Sequence, residues 1–281
     1  MVQKADSIRS YPVPNVRKLL APDLGFEIAS IDLTGADAQT VAWEAGDEDL
    51  KTIFKENKIK IHAHNALTLF KRFGLKTGYE QPYYDLCRSG VHLCNFLGGD
   101  EQLAYAMGIP VYEAREFRAY WFGAHPLIPD WHEKIQHQLQ TTRAVTSVWG
   151  YRRLYFDRIE GILPEAIAWI AQSGTANVTN RAAVNFDCWR LIQQGAAKEE
   201  DFPDWVLEGA KALVEMDAEL LLQVHDELVF QYPQMYRRPV LSTAKPLVHI
   251  TVPYPDPLVI PWGLKTSTKS WGDCQKRDWP Q

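Results

Sequence analysis

The segment LLQVHDELVF, residues 221–230, constrains this chain more than any other. Two strongly apolar runs flank three polar residues, a pattern of two short strands joined at His225-Asp226. A turn of that kind presents Asp226 and Glu227 at the tip of a rigid hairpin. Acidic residues also favour turns for purely local reasons, because Asp bonds its own backbone, so turn chemistry alone does not assign a function. A second candidate carboxylate, Asp32, ends the strand pattern FEIASIDL at 26–33 and precedes TGADAQTVAW. Asp32 and Asp226 are far apart in sequence. Only a fold that brings the two strand ends together would pair them, and paired carboxylates on rigid strand ends are suited to holding hard divalent cations.

Around these segments the chain reads as mixed helix and strand. Residues 1–14 form a loose lead-in, with Pro12 and Pro14 opposing a helix. After Gly35, ADAQTVAWEAG begins a helix. Asp47, Glu48 and Asp49 read as a solvated cap before LKTIFKEN. Helices are expected over 62–72 and over 81–97, the latter ended by Gly98 and Gly99, and another from near Asp100 through EQLAYAMG. VYEAREFRAYWFGAH and DWHEKIQHQLQTTR are amphipathic, and TSVWGYRRLYFDR reads as a hairpin. Helical periodicity returns at 164–194 and 204–217. The tail is Pro-rich, with one strand expected at 247–253.

With 281 residues the chain can bury a large core. No apolar run is long enough to span a membrane, and the N-terminus lacks the apolar stretch of a secretion signal. Cys87, Cys94, Cys188 and Cys274 are scattered without zinc-knuckle spacing and read as reduced thiols of a cytoplasmic protein. The net charge of −5 weighs against nucleic-acid binding. It does not decide the matter, because a metal site is itself acidic and a basic groove can coexist with an acidic back.

The order His225-Asp226-Glu227 between apolar strands resembles the motif that closes the active site in family A, DNA polymerase I-like enzymes. PNVRKLLAPDLGFEIASIDLTGADAQTVAW, residues 14–43, is similar to the first palm motif of that family. The resemblance implies an α+β right-hand fold, an antiparallel palm sheet with flanking helices plus mostly helical fingers. The expected division is a lead-in at 1–14, first palm part at 15–70, fingers and connecting hairpin at 71–163, and second palm part at 164–281. It further implies a template-directed DNA polymerase working with two magnesium ions, for which manganese can substitute. Asp32, Asp226 and the backbone carbonyl of Leu33 would hold the ions. Glu227 would orient the primer end, Arg17 would face the minor groove, and His225 would lie by the primer. Asp37 would take the position that packs under the incoming sugar; better-known members have Glu there.

The fingers helix departs from the family pattern of Arg, Lys four later, an aromatic or apolar residue four later, then Tyr-Gly. In one register Arg88, His92 and Phe96 take the first three positions. In the other, which aligns YDLCRSGVHLCNFLGGDEQLAYAMGI without gaps and is preferred, Arg88 replaces the Lys, Phe96 the Tyr, and Tyr84 the Arg. Either way Arg88, His92 and Phe96 share one helical face, where a cation can bind triphosphate and an aromatic can stack. Arg88 is a poor proton donor, which allows for a slow enzyme. KIHAHNA at 60–66 resembles the segment whose His touches the triphosphate, here His62 with Lys60 in place of the acid. VWGYRRLYF resembles the hairpin that would bring Arg152 and Arg153 to the template backbone. IAWIAQSGTANVTNRA places Gln172 at the primer terminus by the same resemblance. KSWGD resembles the closing Trp segment, where Trp271 could equally be a core anchor.

The resemblance runs in order from about residue 14 to 273, with an insertion near QQGAAKEEDFPDW. In the family the thumb and the proofreading exonuclease come before the first palm motif, and only a short lead-in comes before it here. The expectation is a phage-type minimal or split enzyme, with primer-template DNA and dNTPs as partners and a separate polypeptide supplying thumb or exonuclease. Its location would be cytoplasmic, in a bacterial or phage-infected cell. A weak or inactive polymerase-like subunit that binds DNA or a replication partner remains the alternative. A scaffold with incidental acidic turns and a single-subunit RNA polymerase fit less well, the latter because of Asp37 and Glu227.

Overall fold

The computed structural model describes residues 15–56 and 81–281, with side chains from 86 onward in the second stretch. The expected helix at 62–72, with Lys60 and His62, lies outside the described residues. Helices α1 to α9 are Ala36–Ala45, Glu48–Glu56, Gln81–Asn95, Asp100–Met107, Val111–Ala124, Leu127–Thr142, Ile159–Gln193, Asp204–Glu215 and Arg237–Val248. Strands β1 to β9 are Phe26–Leu33, Ala144–Thr146, Arg152–Leu154, Glu219–Val224, Glu227–Pro233, Thr251–Val252, Leu258–Val259, Trp262–Ser267 and Gln275–Arg277. The described chain divides into a first compact unit, 15–34, 179–250 and 261–281, and a second, 35–56, 81–178 and 251–260. Helix α7 contributes residues to both.

The first unit is built on an antiparallel sheet in the order β4-β5-β1-β8-β9. β1 lies in its middle, with Ile28, Ala29, Ser30 and Ile31 all buried. β4 is an edge strand and half-exposed throughout. Phe186 of α7 packs on Phe230 of β5, ring centroids 4.9 Å apart. The reading of the tail as Pro-rich carries no helix at α9, which contains Pro239 and Pro246. Pro239 falls in its first turn, where no intrahelical N–H is lost. Its last carbonyls are satisfied from outside: Trp262 Nε1 donates to Val248 O at 2.7 Å and Asn185 Nδ2 to Leu247 O at 3.1 Å. The strand expected at 247–253 therefore shrinks to Thr251–Val252, and the tail carries β8 and β9 instead. Arg237, at the start of α9, donates to Glu27 Oε2 of β1 at 2.6 Å, and Glu27 is buried.

The second unit is mostly helical. Asp47 is buried rather than solvated: its Oδ1 accepts from Leu50 N at 2.9 Å, capping α2, and its Oδ2 accepts from His125 Nδ1 at 2.9 Å. Asn95, at the end of α3, is held by Trp121 Nε1 through its side chain and by His132 Nε2 through its carbonyl, both at 2.9 Å. Burial pushes the His132 imidazole down to about 4, so it serves as a neutral donor. Segment 251–260 is tied to α1 and α2 by Trp43 Nε1 on Asp256 O and by Lys55 Nζ on Asp256 Oδ2, each 2.8 Å.

Gly90 lets α3 lie close against its neighbours. A Cβ there would stand 2.7 Å from Met107 Sδ and 2.9 Å from Phe117 Cε1. Gly90→Ala is expected to overpack this junction and lower stability by about 1–3 kcal/mol, measurable by denaturant unfolding. An unchanged midpoint would mean that the helices separate without cost. The same helix ends on Leu97 rather than on Gly98. Leu97 adopts the left-handed conformation, φ 56°, while Gly98 N bonds Leu93 O at 2.7 Å and Leu97 N bonds Cys94 O at 3.3 Å. That is a Schellman stop with a leucine in the place where glycine is strain-free.

Candidate active site

Asp32 and Asp226 do come to one place in the first unit. β1 pairs antiparallel with β5 so that Asp32 lies opposite Glu227, and Leu33 N donates to the carbonyl of Asp226 at 3.2 Å. On its other side Asp32 lies opposite Gly263 of β8. The turn between β4 and β5 consists of His225 and Asp226 alone. His225, exposed at its tip, holds φ 55°, a left-handed position that histidine tolerates better than bulkier residues do. The Asp226 side chain is half-buried and makes no hydrogen bond or ion pair among the described residues.

Glu227 is not at the turn tip. It begins β5 and is 6 % exposed. Ser30 Oγ donates to its Oε1, Trp271 Nε1 donates to the same oxygen at 2.8 Å, and Arg17 Nη1 lies 3.2 Å from Oε2. The Arg17 guanidinium also stacks over the Trp271 ring, 4.4 Å from its centroid. Both carboxylate oxygens are thus engaged, and Glu227 acts as a rigid hub between β1, the 3₁₀ turn Val16–Leu19 and the 3₁₀ turn Trp271–Asp273. Trp271 is half-buried and serves this hub rather than a core. The two turns touch at Gly272, where a Cβ would meet Lys18 Cγ at 2.6 Å and Lys18 N at 2.9 Å. Gly272→Ala is therefore expected to push Arg17 off Glu227 and lower the melting temperature by several degrees, about 1–3 kcal/mol. A melting curve superimposable on wild type would contradict this.

Asp32 has one oxygen, Oδ1, that is buried and lacks a hydrogen-bond partner. Lys265 Nζ stands 3.2 Å from it, close enough for an ion pair but off hydrogen-bond geometry. An orphaned carboxylate oxygen, a neighbouring unengaged carboxylate and a strand-end carbonyl form an oxygen-only donor set, which fits a hard divalent cation. Among the described residues no group of three or more His, Cys, Asp or Glu converges as a metal cluster, so an ion here would rest on two carboxylates and backbone oxygen.

The remaining candidates lie in the second unit. Arg88 and His92 are exposed on one face of α3, with Phe96 half-buried one turn on. The His92 and Phe96 rings meet edge to face at 4.6 Å. His92 Nδ1 lies 3.9 Å from Asp37 Oδ2, and Thr175 Oγ1 donates to Asp37 Oδ1 at 3.4 Å. Asp37 is in the first turn of α1, where a negative charge also suits the helix dipole. Nothing in the sequence links His92 to Asp37, because they are distant in the chain and the spacing carries no signal of it. Gln172 of α7 is exposed. In the β2–β3 hairpin Arg152 is exposed and points no charge at a partner among the described residues, whereas Arg153 pairs with Glu165 and lies over Tyr155, 4.9 Å from its centroid. His62 lies outside the described residues.

The sheet of the first unit thus sets one aspartate near the end of its central strand beside a tight turn carrying another, and the second unit is mostly helical. The chain belongs to DNA polymerase family A: the sequence model of that family matches residues 5–268. Among known proteins it is similar to the thermostable DNA polymerase I of Thermus filiformis, 26% identical over 250 residues, covering 89% of this chain and 28% of that one. It is also similar to DNA polymerase I of Treponema pallidum, 26% identical over 269 residues, covering 95% of this chain and 25% of the relative. The chain thus spans about a quarter of the length of the curated relatives it matches. A solved structure described as the POL domain of Pol1 from M. smegmatis in complex with DNA primer-template and dNTP shares the fold, with TM-score 0.72 and 15% identity over 95% of this chain and 44% of that one. No described helix is long and apolar enough to cross a membrane.

Proposed function

We propose that the chain is the palm and fingers of a template-directed DNA polymerase that adds deoxynucleotides to a primer 3′ end. The observation that carries this reading is the register of β1 against β5, with Asp32 opposite Glu227 and Leu33 bonded to Asp226. Asp32, Asp226 and the Leu33 carbonyl would hold two divalent ions, magnesium by preference and manganese as substitute. When bound, such ions lower the pKa of the attacking hydroxyl and neutralise the triphosphate.

The protein's own part is positioning and charge. Glu227, locked by Ser30, Trp271 and Arg17, keeps the end of β5 and therefore the Asp226 turn at a constant height against β1. Arg17 and His225 border this turn and would meet the primer end. Arg88, with His62 or His92, would balance the triphosphate charge, and Phe96 would offer a stacking edge. Asp37, held by Thr175, would sit under the incoming sugar. Arg152, Arg153 and Gln172 would contact the primer-template. Arg153 is the weaker candidate, since Glu165 already neutralises it. Primer-template DNA and dNTPs are the partners this reading requires.

The test is primer extension by purified protein on a labelled primer-template with magnesium and dNTPs, beside a double Asp32→Ala, Asp226→Ala variant. Extension by the wild type alone supports the reading. No extension by folded wild type, in magnesium or manganese, removes it and leaves a polymerase-like subunit without catalysis.

A further inference from the structure

Lys265 is the one feature of this site that the proposed chemistry does not use. It lies on β8 two residues beyond Gly263, on the same face of the sheet, where it pairs in register with Ser30. Its ammonium stands 3.2 Å from Asp32 Oδ1. That oxygen is buried and accepts no hydrogen bond, and Lys265 is the cation paired with it among the described residues. The approach is open because residue 263 is glycine. A Cβ at that position would itself lie 3.3 Å from Asp32 Oδ1 and 3.6 Å from Thr34 Oγ1. The Lys265 side chain is 42 % exposed and that of Asp32 is 39 % exposed, so the lysine has water to retreat into along its flexible stem.

We infer that Lys265 is a resident counter-cation for Asp32, occupying the carboxylate until a divalent ion displaces it and so raising the ion concentration at which the site fills. This rests on the reading of Asp32 as an ion ligand. The physical argument is competition. An ammonium and a divalent ion cannot both sit against one carboxylate oxygen, because their mutual repulsion at a few ångströms is substantial even in high dielectric. Filling the site therefore requires breaking a half-exposed ion pair and moving Lys265 outward. Half-exposed pairs are weak, which sets the size of the effect. Lysine in place of a neutral residue is expected to weaken divalent binding by about three- to tenfold. Until then Lys265 holds Asp32 in one orientation and spares it from standing beside Asp226 as an uncompensated negative pair. Lys265 is thus a positioning residue, acting on the ligand rather than on substrate.

The test is Mn²⁺ binding to the full chain without DNA or nucleotide, read from the free-ion electron paramagnetic resonance signal at low ionic strength. Wild type, Lys265→Met, Lys265→Gln, Lys265→Arg and Asp32→Asn are compared, with circular dichroism to establish folding. The Asp32-dependent component should tighten about three- to tenfold in Lys265→Met and in Lys265→Gln, and should not tighten in Lys265→Arg. The glutamine variant carries the test if methionine at this half-exposed place unfolds the strand. Equal or weaker affinity in the folded neutral variants overturns the inference and leaves the polymerase reading standing. A wild type with no Asp32-dependent Mn²⁺ component overturns both.

Discussion

Alanine in place of Asp226 is expected to cut primer extension by about a thousandfold while moving the melting temperature by no more than about 2 °C. The asymmetry follows from how the residue is held. Its backbone does the structural work, since its carbonyl accepts from Leu33 N and fastens the turn to the end of β1; alanine keeps that bond. Its side chain is half-buried and makes no hydrogen bond or ion pair among the described residues, so its removal leaves no orphaned group. What disappears is a negative charge at the strand end. Asp226→Asn is the sharper control, because it keeps the shape and removes only the charge. Single-turnover rates with saturating primer-template separate a lost chemical step from weakened DNA binding. An Asp226→Ala variant that extends primers at the wild-type rate would end the two-ion assignment, whatever its stability.

The largest loss of stability is expected from Arg237→Ala, about 3 kcal/mol. Glu27 is 1 % exposed on β1, in the middle of the sheet, and its described charged partner is Arg237 at 2.6 Å. Removing the guanidinium strands a buried carboxylate, which costs far more than an exposed pair contributes. The figure sits at the low end for buried pairs because Arg237 is half-exposed and water can partly replace it. Urea unfolding of wild type and variant reads the loss directly. Adding Glu27→Gln to the variant should recover most of the loss; if it recovers none, the penalty comes from Arg237 packing and not from the stranded charge.

How far the sequence speaks depends on the range of the interaction. FEIASIDL was legible as a strand, and its bounds match β1 residue for residue, because strand periodicity and the following Gly35 are local signals. The hairpin at His225-Asp226 was legible for the same reason. The position of Glu227 was not. A three-residue acidic turn and a two-residue turn with the glutamate inside the strand have the same letters; the register of β5 on β1, which decides between them, is set by residues some two hundred positions away. Asp47 looked solvated because it begins an acidic triplet, and only the fold brings His125 against it. Helix α9 was hidden by its two prolines, and β8 was missed although Trp262, Leu264 and Thr266 alternate with less buried Gly263 and Lys265. The ion pair of Asp32 with Lys265 joins two strands whose adjacency no short-range pattern encodes. Family resemblance supplied the pairing of Asp32 with Asp226, and spacing alone could not have.

The central place of β1 has a consequence for how the protein is made. Its neighbours are β5 and β8, residues 227–233 and 262–267, so β1 emerges from the ribosome well before either strand that it pairs with. During synthesis it is an apolar strand with two unpaired edges. Contacts so distant in sequence form slowly and leave such segments exposed to wrong partners. Most helices of the second unit precede β5 in the chain and can form while β1 waits. Yield in a cell should therefore respond to translation speed and to chaperones that shield extended apolar segments more than the finished protein's stability would suggest.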